Sequence, residues 1–264
     1  MKKGELIFVG LGLYDEKDIS LKGLETARKC DKIFTEFYTS LLVGSNIEKL
    51  EKMIGKKIEN LSRREVEDGE YILREAKSKK VAFLVGGDPL SATTHVDLRI
   101  RAEKQGINTK IIHNSSIFTA VPGLLGLQHY KFGRTTTLMF PHGEFFPKSP
   151  YEVIYENKSR GLHTLVLLDI DKENGRLMTA NQGIELLLEM EKSVKRGLIK
   201  EDLLICVVAR AGSDNPTVKA GRIKRLVEED FGPPLHTIVV PGELHFMEVE
   251  ALVNFAGLKR DELE

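Results

Sequence analysis

Twice within its first ninety residues the chain runs a short apolar strand straight into glycine. The two stretches are Glu5-Leu-Ile-Phe-Val-Gly-Leu-Gly-Leu-Tyr-Asp15 and Val81-Ala-Phe-Leu-Val-Gly-Gly-Asp-Pro-Leu90. Small residues at a strand's carboxyl end let backbone approach a ligand with no side chain between them. Two such ends imply a single crevice floored by backbone, which is the form of a cofactor site.

Strand and helix signals alternate along most of the chain. Residues 5–13 read as a strand, followed by a helix opened by Ser20, with Leu21, Leu24, Ala27 and Cys30 spaced along one face. A strand at 32–37, a helix at 46–54, a polar strand at 56–60 and a charged helix at 65–79 come next. The strand 81–86 leads to a helix carrying Val96, Leu98, Ile100 and Ala102, then to a strand at 109–113. Beyond a helix punctuated by Pro122 and Gly123, strands are expected at 135–140, 163–170, 203–208 and 235–240. Helices are expected at 179–195 and around Val249, Leu252, Val253 and Phe255, and the tail Lys259–Glu264 is expected to fray. Helix-length spacers between strands predict crossover connections and mostly parallel pairing. The junction falls near residues 112–116, giving an N-terminal α/β domain over 1–112 and a C-terminal one over 113–264.

Composition excludes some partners. Lys and Arg number 39 and so do Asp and Glu, so no net basic field draws the chain to nucleic acid, and none is expected to bind directly. No apolar stretch is long enough to span a bilayer, and the apolar run behind Lys2-Lys3 ends in Gly-X-Gly without a cleavage signal. Cys30 and Cys206 read as core thiols of a reducing compartment, so a soluble, cytoplasmic protein is expected. The seven histidines form no metal constellation: His142 and Glu144 are close, but no second ligand pair has a useful spacing.

The individual motifs leave alternatives open. Gly10-Leu-Gly12 lacks the third glycine of the dinucleotide fingerprint, Asp15 standing in its place, and serves equally as a turn at a sheet end. Pro89 holds Asp88 out of helical geometry, so its carboxylate projects from the strand end, either towards a ligand or as an Asx turn. Ser91, Ser115 and Ser116 can cap helices or meet a ligand, and the small residues of Ala209-Arg-Ala-Gly-Ser213 can be a tight turn. His236 beside Pro233-Pro234 reads most simply as a hydrogen-bonded structural residue. Nucleophile elbows, Walker loops and paired cysteines are missing, which points to chemistry performed by a positioned, reactive cofactor.

Taken in order, several segments resemble the diphthine synthase family, within the tetrapyrrole-methylase-like superfamily. They are Gly10–Asp15, Thr35-Glu-Phe-Tyr-Thr39, Gly87-Asp-Pro-Leu90 with Ala92-Thr-Thr-His95, Tyr130-Lys-Phe-Gly133, Gly161-Leu-His-Thr164, Met178-Thr-Ala-Asn181 and Ala209–Ser213. The Gly-X-Gly and Gly-Asp-Pro elements belong to the whole superfamily, whereas the Glu-Phe-Tyr-Thr, Tyr-Lys-Phe-Gly and Ala-Arg-Ala-Gly-Ser segments are particular to this family. Val85-Gly86 stands where Thr-Pro is common, and Ser91 where a small apolar residue is common.

The resemblance implies a two-domain tetrapyrrole-methylase-like α/β fold, each domain a mixed sheet flanked by helices. It also implies a homodimer, with S-adenosyl-L-methionine in the interdomain cleft and S-adenosyl-L-homocysteine as product. Cofactor contacts carried over motif by motif fall on Leu13, Asp88, Ser91, Ser116, Ile117, Leu168, Ala211 and His236. The implied substrate is the 2-(3-amino-3-carboxypropyl)histidine of translation elongation factor 2, whose amino group is methylated repeatedly to give diphthine in diphthamide biosynthesis. No catalytic side chain is assigned, since orienting an amine against an activated methyl can itself be worth about 7–11 kcal/mol. Tyr38 or Phe37 is expected to face the growing ammonium through its ring. The competing readings are a corrinoid or porphyrinoid ring methyltransferase, a non-catalytic S-adenosylmethionine-binding protein and an RNA methyltransferase.

Overall fold

The computed structural model describes residues 4–38, 40–141, 146–171 and 174–263. The chain divides into two compact units, Met1–Ile117 and Phe118–Glu264, a few residues downstream of the expected junction.

The first unit contains β1 (Glu5–Gly10), α1 (Leu21–Lys29), β2 (Lys32–Thr35), α2 (Ile47–Ile54), β3 (Glu59–Asn60), α3 (Arg63–Asp68), α4 (Glu70–Ala76), β4 (Lys80–Val85), α5 (His95–Lys104) and β5 (Asn108–Ile112). Its sheet has the order β3-β2-β4-β1-β5 and is parallel throughout. Alternate residues of each strand serve two cores. Ile7, Val9, Ile33, Ala82 and Leu84 face one, while Leu6, Phe8, Phe34, Val81 and Phe83 face the other. Strands buried on both faces need continuous apolar runs, which is why β1 and β4 carry no polar interruption. Ser20 caps α1 as the sequence predicts, accepting from the Gly23 N–H. The single charged helix expected over 65–79 is instead α3 and α4, broken at Gly69, whose φ of +66° ends the first helix in the left-handed region.

The second unit contains α6 (Ile117–Leu125, begun at the division), β6 (Thr136–Leu138), α7 (Ser149–Ser159), β7 (Thr164–Leu168), β8 (Ile170–Asp171), β9 (Arg176–Leu177), α8 (Ala180–Val194), β10 (Leu204–Ala209), β11 (Thr217–Arg222), α9 (Ile223–Leu226), β12 (His236–Val240) and α10 (Phe246–Ala256). Its sheet is mixed, in the order β11-β10-β12-β7-β6. Only β6 and β7 pair in parallel; the β7–β12, β12–β10 and β10–β11 pairings are antiparallel. Mostly parallel pairing thus holds for the first unit and fails for the second. There the direction reverses because β10 and β12 run opposite to the strands beside them. One core fills the space between this sheet and α7, α8 and α9, with Tyr151, Ile184, Leu187, Ile205, Val207 and Ile238 fully buried. The expected strand over 163–170 stops at Leu168, where Asp169 turns its carboxylate onto the Phe140 N–H at 2.9 Å. The tail is docked rather than frayed through residue 263: Glu262 pairs with Arg225 at 2.8 Å and accepts from the Arg222 N–H. Both cysteines are buried and unpaired, and burial raises both thiol pKa values, Cys30 to about 11.

Candidate active site

In the first unit the two glycine turns are joined to each other. Gly12 and Gly87 form an isolated bridge, the Gly87 N–H donating to the Gly12 carbonyl at 2.7 Å and the Gly12 N–H returning at 3.3 Å. The Leu11 N–H donates to the Val85 carbonyl at 2.8 Å, so the ends of β1 and β4 are held in register past the sheet. Glycine is a steric necessity here: a Cβ on Gly10 would lie 2.6 Å from the Gly87 carbonyl oxygen and 2.7 Å from the Asn114 Cβ. Above Gly87 there is room, because a Cβ built there would meet nothing nearer than the Ser115 carbonyl oxygen at 4.0 Å.

Three side chains hold the edge rigid, and sequence reasoning marked only Asp88. The Asp18 carboxylate collects the backbone N–H groups of Leu13, Tyr14 and Asp15 at 3.2, 2.6 and 3.3 Å, fixing the loop after β1. Asn114 donates from one amide nitrogen to the carbonyls of Gly10 and Asp18, at 2.9 and 3.0 Å. Asp88 accepts from Leu90 N–H and Ser91 Oγ on one oxygen, and from His113 Nδ1 and Asn114 N–H on the other. Burial raises the Asp88 pKa, but the His113 contact and the two backbone donors outweigh it and leave the carboxyl below its usual value. The signals for Asp18 and Asn114 were visible: an acid three residues after Asp15, and an amide directly after a strand.

The first unit therefore brings Leu13, Asp88, Ser91 and Ser116 to the carboxyl edge of its sheet, with Ile117 opening α6. Asp88 and Ser91 also form the Asx-type turn that was their alternative reading. Phe37 is packed into the core and lines a cavity of about 270 Å³ together with Leu41, Leu42 and Leu50. Tyr38 lines a cavity of about 230 Å³ whose wall includes Thr94, His95 and Arg101. In it the Tyr38 and His95 rings meet edge to face, and His95 Nε2 lies 3.7 Å from a Glu36 oxygen. Burial lowers the His95 pKa, opposed by Glu36 and the Pro89 carbonyl. The Thr35–Tyr38 and Ala92–His95 segments thus pack together beside the Gly87-Asp88-Pro89 turn.

The second unit gathers Leu168, Ala211 and His236 at one edge of its own sheet. Leu168 ends β7 and His236 begins the antiparallel β12, which pairs with Ala209 at the end of β10, two residues before Ala211. The His236 imidazole is consumed structurally: Nδ1 accepts from the Ala180 N–H at 3.0 Å, and Nε2 donates to the Gly232 carbonyl at 3.1 Å. Burial lowers its pKa, keeping the ring neutral, so only its backbone is left to meet a ligand. The Leu168 side chain is likewise part of the core. Arg210, in a left-handed conformation at φ +53°, ties the loop to the Phe231 and Pro233 carbonyls and to Thr217 Oγ1. The sequence shows small residues here, and the arginine between them is the clamp.

Among the described residues no cluster of three or more His, Cys, Asp or Glu could hold a metal ion, and no helix is long and apolar enough to cross a membrane. His142 and Glu144 lie outside the described residues.

A parallel unit with linked glycine turns, followed by a mixed-sheet unit, is the architecture of a methylase built around strand ends. The family described as Tetrapyrrole (Corrin/Porphyrin) Methylases matches residues 5–227. A diphthine synthase of Methanocaldococcus jannaschii is 55% identical over 250 residues, covering 94% of this chain and 97% of that one. One from Methanothermobacter thermautotrophicus is 49% identical, covering 98% of each. A crystal structure of diphthine synthase superposes with a TM-score of 0.89 at 42% identity, covering 97% of this chain and 98% of the other. The chain belongs to the diphthine synthase family and is a methyltransferase.

Proposed function

We propose that the chain transfers methyl groups from S-adenosyl-L-methionine to the amino nitrogen of 2-(3-amino-3-carboxypropyl)histidine on translation elongation factor 2. Transfer is repeated until the nitrogen is the trimethylammonium of diphthine. One observation carries the proposal. The hydrogen-bonded Gly12–Gly87 turns, with open space above Gly87, belong to a chain that matches a diphthine synthase over 94% of its length.

The cofactor brings a sulfonium methyl that is already activated, because its leaving group departs as a neutral thioether. The residues that would hold it are Leu13, Asp88, Ser91, Ser116 and Ile117 in the first unit and Leu168, Ala211 and His236 in the second. Backbone at the Gly12–Gly87 floor can approach an adenosine closely, and the ionised Asp88 is an acceptor for a hydroxyl or an ammonium. With the loop after β1 pinned by Asp18 and the turn after β4 tied by Asn114, these contacts are organised before the ligand arrives, so little ordering cost is left to binding. The protein's remaining work is to exclude water and to keep the amine in line with the methyl carbon.

Unmodified elongation factor 2 carrying the amino-carboxypropyl histidine, incubated with enzyme and S-adenosyl-L-methionine, is expected to gain mass in steps of one methyl. Mass spectrometry of the modified peptide counts those steps. A protein that binds the cofactor yet adds no methyl to this substrate, while methylating a corrinoid ring, would overturn the substrate assignment.

A cytoplasmic homodimer is part of the same reading, supported by the family resemblance. Sedimentation equilibrium is expected to give twice the 29.7 kDa chain mass. A concentration-independent monomer would remove the dimer from the account.

A further inference from the structure

An ammonium has no lone pair, so the substrate nitrogen must shed a proton before it can attack a methyl carbon. None of the residues assigned to the cofactor performs that step. At the strand ends of the first unit two histidines approach carboxylates among the described residues: His95 lies 3.7 Å from Glu36, both buried, and His113 meets Asp88 at 2.7 Å with its ring exposed. Asp88 follows β4 and His113 follows β5, and β1 lies between those two strands in the sheet. The Asp88 carboxylate therefore reaches across the end of β1, where the Gly10–Gly12 turn begins.

This contact decides the tautomer. An ionised carboxylate only accepts, so the proton of a neutral imidazole sits on Nδ1, and Nε2 is left as a bare lone pair. The His113 side chain is 73% exposed and Asp88 12% exposed, so the ring is open to substrate while its anchor is covered. Asp88 already accepts from Leu90 N–H, Ser91 Oγ and Asn114 N–H, so the turn does not need the His113 contact to satisfy its carboxylate. Other titratable groups nearby are already committed. Asp18 binds three N–H groups, and Glu36 and His95 are buried.

We propose that His113, oriented by Asp88, is the proton acceptor of the methylation; this rests on the amine-methylating function proposed above. The ammonium N–H proton passes to His113 Nε2, and the electron pair of that bond becomes the nitrogen lone pair. That pair forms the new N–C bond as the C–S bond breaks and its electrons leave on the thioether sulfur. The imidazolium then returns its proton to water through its exposed face, ready for the next transfer.

The test uses the full chain with His113→Gln and His113→Ala. At neutral pH, kcat is expected to fall about 10²–10⁴-fold in both, the range for loss of a general base. Cofactor affinity by calorimetry and the thermal midpoint should be unchanged. Added imidazole should restore part of the His113→Ala turnover, and the gap to the parent should narrow as rising pH deprotonates the amine unaided. ¹⁵N spectra of the parent should show the His113 proton on Nδ1. His113→Gln turning over within about threefold of the parent would overturn the proposal, since a lost base costs far more. So would a proton found on Nε2, or a loss of cofactor affinity large enough to explain the lost turnover. A parent enzyme that binds S-adenosyl-L-methionine but methylates no amine would instead strike down the substrate reading, and this proposal with it.

Discussion

Glu248→Ala is expected to destabilise the second unit by about 3–5 kcal/mol, the cost of removing one partner from a buried charge cluster. Glu248 is fully buried at the start of α10 and satisfies four donors. Lys131 Nζ and the His245 N–H meet one oxygen at 2.6 and 2.8 Å, and the Gln128 N–H and His163 Nε2 meet the other at 2.8 and 3.0 Å. His163 is itself fully buried, and its Nδ1 accepts from the Gly242 N–H at 2.9 Å, so its neutral Nε2–H tautomer is fixed from both sides. Alanine would strand a lysine, a histidine and two amides together. Against a total stability of about 5–15 kcal/mol for a typical domain, that loss is large. Urea titration measures it directly. A Glu248→Ala midpoint equal to the parent's would show that the cluster is energetically idle.

The same carboxylate should govern acid sensitivity. Burial raises its pKa, but Lys131, the two backbone N–H groups and His163 together bring it down to about 2, below its ordinary value of 4.5. A depressed carboxylate contributes stability that is fully present above the unfolded value and is lost as pH falls towards the folded one. The window for Glu248 therefore runs from about 4.5 down to about 2. His163 acts in the same direction: burial depresses its pKa below 6.5, so acid favours the unfolded state, where the ring protonates freely. Glu248→Gln keeps the shape and removes the charge, so the acid limb below pH 4.5 should flatten in that variant.

The Lys131 and His163 partners come from Tyr130–Gly133 and Gly161–Thr164, segments whose family character was plain from the sequence. Their purpose was not. Glu248 lies 117 residues beyond Lys131, and no local pattern announces a pairing across that distance. Similarly, β1 and β4 were legible because strands buried on both faces must be apolar throughout, and their glycines were legible because the turns demand them. The Gly12–Gly87 bridge joins the two turns the sequence marked. β11, with its lysine and arginine interleaved among small residues, lacks an apolar run and escaped notice. So did α7, whose start is marked by Pro150 but whose last turn is polar. His236 shows the limit at the level of a single residue: its position at a strand end could be foreseen, while the use of its ring by Ala180 and Gly232 depends on elements the sequence places far apart.

Gly12→Ala is expected to weaken binding of S-adenosyl-L-methionine at least tenfold, about 1.4 kcal/mol, and to lower stability as well. Gly12 holds φ at +86°, where a side chain is strained, and a Cβ there would lie 2.4 Å from the Asp18 Cβ and 3.0 Å from its carbonyl oxygen. The strain alone is worth about 1–3 kcal/mol. The contact cannot relax without moving Asp18, whose carboxylate holds Leu13, Tyr14 and Asp15 in place. Moving the loop also pulls on the mutual hydrogen bonds of Gly12 and Gly87, so the floor of the crevice should shift rather than only the mutated residue. Gly55 supplies the control. It has nearly the same conformation, φ +79°, but nothing lies within 4 Å of a Cβ built there. Gly55→Ala should carry the backbone strain and leave cofactor affinity intact. If calorimetry finds the two variants equal in affinity, the linked turns are a structural joint and not the floor of a binding site.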